Sequence, residues 1–102
     1  MTPDKELDYL SRTDEEYGRL KGRVAGLEYR MKIEEAKGYL ANEGAVEARK
    51  AQARQGTEYV RLLDEFEDAS IKLHTVGALR KTAELRIEVW RTMESSRRRG
   101  NV

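Results

Sequence analysis

From Tyr59 to Trp90 apolar residues recur at alternating steps of three and four: Tyr59, Leu62, Phe66, Ala69, Leu73, Val76, Ala83, Ile87 and Trp90, with Arg80 the one polar member of the series. That spacing keeps side chains on one stripe of a helix, as in a coiled-coil seam. A strand alternates every second residue and cannot carry it. Tyr17, Leu20, Val24, Leu27 and Met31 repeat the same rhythm earlier in the chain. The fold class is therefore all-α and coiled-coil-like, built on two long helices.

Charge supports the same reading. Charged residues make up 38% of the 102, as do hydrophobic ones, against about 25% charged in ordinary globular chains. Long solvated helices accommodate that excess. One proline, at position 3, and scattered glycines leave no linker, so residues 1–102 read as one helical domain, with about 99–102 as a flexible basic tail end.

Helix punctuation divides the chain further. Thr2-Pro3 reads as an N-cap with proline at the first helical position, opening a short helix to about Leu10. Thr13-Asp14-Glu15-Glu16 has the form of a capping box, starting a helix over about 14–41 that stops at Asn42-Glu43-Gly44. Ala45 to Arg54 is a short alanine-rich helix in the connection. Thr57 then reads as the cap of a helix over about 58–98. Folded as an antiparallel hairpin, with residue 42 near 58, position 14 falls near about 86. The turns bearing Ile87, Trp90 and Met93 then overhang and need cover, from the N-terminal helix or from another subunit.

Both long helices are two-faced. Gly18, Gly22 and Gly26 lie on the side of their helix opposite the Tyr17–Met31 stripe, in line with Tyr29, Ile33, Ala36 and Leu40. Val60, Ile71, Ala78, Leu85 and Val89 form a second stripe on the last helix. A helix in an isolated hairpin needs one buried face, and a helix between two neighbours needs two. Glycines on a back face admit a close neighbour, so Gly18, Gly22, Gly26, Ile33, Ile87, Trp90 and Met93 are the candidate interface of a homo-oligomer. The other reading of the glycines is a weak stretch of helix held by tertiary contacts.

Catalytic chemistry has no signature here. His74 is the single histidine and lacks the second histidine or Glu-x-x-His spacing of a metal centre. The acids Asp64, Glu65, Glu67 and Asp68 read as a solvated face. The serines have no activating base in view, and no glycine-rich loop follows a strand. The expectation is no enzyme, no metal and no cofactor. Absence of cysteine, of an apolar signal core and of any long apolar run favours a cytoplasmic chain with no membrane partner.

The charge distribution is directional. Residues 1–16 carry six acids and two bases, residues 80–102 seven bases and three acids. Arg86, Arg91, Arg97, Arg98 and Arg99 cluster toward the C-terminus, where cations suit the helix dipole. They are the candidate contact for DNA phosphates or for an acidic protein surface.

"GTEYVRLLDEFEDASIKLHTVGALRKTAELRIEVWRTMESSRRRGN" resembles a family of small phage and prophage proteins. Its most specific part is Ala83-Glu84-Leu85, Ile87-Glu88, Trp90-Arg91-Thr92 and the Arg97–Gly100 end; "LANEGAVEARKAQA" also fits. Such proteins are encoded in the recombination and replication region, and offer no assigned catalytic residues to carry over. The resemblance implies an oligomeric accessory of DNA metabolism in the host cell cytoplasm, contacting DNA or a DNA-processing protein. The residues alone leave a second class open: a structural or regulatory interaction module, such as an inhibitor of a host factor, that binds no DNA.

Overall fold

The computed structural model describes residues 2–100. They form three α-helices and no strand: α1 (Asp4–Ala41), α2 (Val46–Ala53) and α3 (Thr57–Gly100). The chain divides into two units. Among the described residues, one comprises 2–18 and 74–100, the other 19–73.

α1 is one helix of 38 residues. This corrects the expectation of a separate N-terminal helix ending near Leu10 and a new start at Thr13. Thr13 lies within the helix, only 6% exposed, and its hydroxyl donates to the Tyr9 carbonyl at 2.7 Å. A threonine followed by three acids suits a helix start locally, but nothing at Ser11-Arg12 breaks the ladder. Thr13 also falls on the buried stripe, so tertiary packing overrides the local signal. The other two caps shift by one residue. Leu7 N–H bonds the Pro3 carbonyl and Val60 N–H bonds that of Gly56, so Pro3 and Gly56 hold the N-cap positions. α3 runs to Gly100, placing Arg99 and Gly100 in the helix rather than in a flexible tail. The remainder of that expected tail, 101–102, lies outside the described residues.

In the first unit the antiparallel register is shorter than expected. Tyr17 packs beside Gly77, Asp14 meets Arg80 and Glu6 approaches Arg86. Position 14 thus lies level with 80 rather than about 86. Because α1 begins at Asp4, its own first turns reach the level of Ile87 and Trp90. Ile87 is buried, and Trp90 is half-buried beside Thr2, Pro3 and Glu6. Cover for these two side chains comes from within the chain, while Met93 stays exposed.

Arg80, the polar intruder of the stripe, has a specific socket there. Its Nη1 donates to the Leu10 carbonyl and the Thr13 hydroxyl, each at 2.8 Å. Its Nη2 donates to Asp14 Oδ1 at 2.6 Å, and the guanidinium stands over the Tyr17 ring, 5.0 Å from its centre. A cation in an apolar seam is tolerated when its donors are matched.

In the second unit Leu27, Leu62 and Ala69 form the core, with Val24, Met31 and Phe66 packed against them. α2 closes the end of α1. Asn42 Nδ2 donates to the Gly38 carbonyl at 2.6 Å, and Arg49 Nε donates to the Tyr39 carbonyl at 3.0 Å while covering the Tyr39 ring. These side chains satisfy carbonyls that a helix end leaves unpaired. Gly44 makes the turn at φ 114°, in the left-handed region that glycine enters without steric cost.

Gly38 is the glycine that admits a close neighbour. A Cβ there would stand 2.7 Å from the Ala53 Cβ and 2.8 Å from its Cα. At Gly77 a Cβ would meet the Tyr17 ring at an ordinary 3.6 Å. Gly38→Ala is therefore expected to destabilise by about 1–3 kcal/mol through overpacking. Gly77→Ala is expected to stabilise by up to about 1 kcal/mol through helix propensity. Denaturant unfolding of both variants beside wild type checks the pair. A Gly38→Ala protein as stable as wild type contradicts the α1–α2 packing described.

Candidate functional site

The five arginines singled out above all lie on α3. At 3.6 residues per turn they do not share one face. Arg91 and Arg98, seven positions apart, occupy one strip; Arg86 and Arg97, eleven apart, occupy another; Arg99 lies on a third. The arrangement is a collar of positive charge around the helix end rather than a stripe. Arg97 is engaged by Glu94 at 2.6 Å, and Arg86 approaches Glu6 at 3.8 Å while staying two-thirds exposed. Arg91, Arg98 and Arg99 are exposed and make no ion pair among the described residues. The last three arginines occupy the final turn of α3, where the helix dipole is negative and favours cations.

An apolar groove adjoins the collar. Thr82, Leu85, Arg86, Val89, Trp90, Met93, Glu94 and Arg97 line a volume of ≈ 560 Å³. All eight come from α3, so the groove has one wall and is open on the other side. Leu85 is 48% exposed, Val89 58% and Met93 64%. The second stripe read from the sequence is thus unfilled along α3. The corresponding face of α1 is equally bare. Tyr29 and Leu40 are exposed, and a Cβ at Gly18, Gly22 or Gly26 would meet nothing within 4 Å. Of the candidate interface residues, Gly18, Gly22, Gly26, Ile33 and Met93 are on the surface, whereas Ile87 and Trp90 belong to the first unit's own packing.

Two members of the acidic run on α3, Glu65 and Asp68, are tied into ion pairs. Arg61 bonds both Glu58 and Glu65, Arg23 stands 3.6 Å from Glu65, and Lys72 is 3.1 Å from Asp68. The hydrogen bond from Arg61, reinforced by its charge, holds the Glu58 carboxyl below its ordinary range. Glu35 acts in the opposite sense on Arg54, raising the pKa of its guanidinium through a hydrogen bond and charge. Among the described residues no group of three or more His, Asp or Glu side chains is arranged to hold a metal ion. No helix among them is long and apolar enough to cross a membrane.

Sequence reasoning missed two features of this region. One is the open groove, because Leu85 and Val89 read as a second stripe while Met93, which lines the groove with them, reads as part of the overhanging end. The other is the full collar geometry, because Arg99 reads as part of a flexible tail and its place on a third strip follows only once α3 is known to run to Gly100. No protein-family model, curated protein or solved structure matches the chain.

Proposed function

We propose that the chain is a non-enzymatic, phage-type accessory of DNA recombination or replication, acting in the host cytoplasm. In this reading the two long helices form an antiparallel hairpin that assembles into a homo-oligomer. The oligomer contacts DNA, or a DNA-processing protein, through the basic end of α3. The observation that carries the reading is the arginine collar, in which Arg91, Arg98 and Arg99 are exposed and outside any ion pair among the described residues. Such cations are available to phosphates without first breaking an existing pair. Assembly multiplies the number of collars per particle, which offsets the small net charge of +1 per chain through multivalency.

A second reading is favoured by the bare apolar faces. Leu85, Val89 and Met93 beside Arg86 and Arg97 also suit an acidic, amphipathic segment of another protein. In that case the chain is a structural or regulatory interaction module and binds no DNA.

Replacing Arg97, Arg98 and Arg99 together by alanine separates the two. Under the first reading wild type binds duplex DNA at low salt, and the triple variant binds more weakly regardless of sequence. Its salt slope is smaller by roughly 0.9 for each phosphate that is no longer neutralised. Arg97 contributes least, being held by Glu94. Anisotropy titrations at two salt concentrations measure this. Wild type that fails to bind at low salt overturns the DNA reading and leaves the protein-interaction one.

A further inference from the structure

The outer face of α3 has the makings of a self-complementary interface. Thr75, Ala78, Thr82, Leu85 and Val89 follow steps of three and four, roughly 150° around the helix from the Ala83–Ile87–Trp90 seam. Leu79, Leu85, Val89 and Met93 are exposed there. In heptad terms Lys81 and Glu88 flank this outer seam on one side, Leu79 and Arg86 on the other. Lys81 and Glu88 are exposed and make no ion pair among the described residues.

We propose that a second copy of this chain covers the face, α3 against α3 in antiparallel orientation about a two-fold axis near Leu85 and Thr82. The proposal deepens the assembly half of the functional reading above and rests on it. Charge selects both orientation and register. In the antiparallel pairing that sets Thr82 beside Leu85 of the second copy, Ala78 faces Val89, a small residue against a larger one. Lys81 then approaches the second copy's Glu88, and the two-fold axis repeats the attraction. Sliding one heptad in either direction brings Lys81 toward its own copy or Glu88 toward its own copy. A parallel pairing sets Lys81 beside Arg86. Only the first arrangement has two attractive flanking pairs and no repulsive one. Leu79 meanwhile lies against the aliphatic stem of the opposing Arg86, where apolar area is covered and the charge still reaches water.

The test is charge exchange, read by sedimentation equilibrium of the full chain from about 1 to 100 µM, a range in which modest interfaces associate. Lys81 and Glu88 are exposed and outside both cores, so their replacement leaves folding intact, checked by circular dichroism. Lys81→Glu alone and Glu88→Lys alone each convert two attractions into repulsions and weaken the dimer by roughly tenfold. The double exchange restores wild-type affinity, and mixing the two single variants yields a heterodimer. A dimer indifferent to every exchange overturns the proposed face while leaving assembly elsewhere intact. A chain that is monomeric at about 100 µM overturns this proposal and the assembly reading together. The DNA titration compares wild type with an arginine variant whose outer face is unchanged, so the loss it reads is assigned to the collar under either result.

Discussion

The pairing of α1 with α3 in the first unit depends on how Arg80 is accommodated. A seam of small and aliphatic side chains tolerates sliding, because hydrophobic contact has no direction. One half-buried guanidinium removes that freedom. Its donors need the Leu10 carbonyl, the Thr13 hydroxyl and the Asp14 carboxylate at the same time. A slip by one heptad would strand a charge among Ala83, Ile87 and their neighbours. A single polar residue in a seam commonly serves to specify register at a cost in stability. Here the chosen register brings the first turns of α1 level with Ile87 and Trp90 and places Tyr17 against Gly77. With those side chains covered internally, the outer stripe of α3 and its basic end are what the unit presents.

Much of this was legible from period alone. Every member of the Tyr59–Trp90 series is buried or half-buried on α3, and every member of the Tyr17–Met31 series is so on α1. The connecting helix and the stop at Gly44 were also visible, since glycine and asparagine leave a strong local signal. What misled was Thr13. The same four residues that suit a helix start were used inside a helix, because Thr13 answers to Arg80, far away in sequence. No local pattern carries that information. Gly38 was missed for a similar reason. Its need for a missing side chain arises from Ala53 on another helix, whereas Gly18, Gly22 and Gly26, more conspicuous as a series, face open space.

The functional reading follows from what is left over after the chain has satisfied itself. Ion pairs bind Glu58, Glu65, Asp68 and Glu94 on α3, and the inner seams are consumed by the chain's own packing. Exposed apolar side chains at Leu85, Val89 and Met93 and the collar's Arg91, Arg98 and Arg99 are not so consumed among the described residues. In the proposed reading, an open apolar groove close to a cationic end would couple assembly to anion binding. A second copy seated on the outer stripe would bring two collars into one particle. Affinity for a polyanion would then rise with concentration more steeply than one collar allows.

The account stands most directly on the Arg80 socket, and a double-mutant cycle measures it. Arg80→Met keeps the stem and removes the charge, and Thr13→Val keeps the shape and removes the hydroxyl. Chemical unfolding of wild type, both single variants and the double variant yields their coupling energy. A register set by this contact predicts coupling of at least about 1 kcal/mol, the scale of a buried hydrogen bond to a charged group. Single effects that simply add, within about 0.3 kcal/mol, would contradict it.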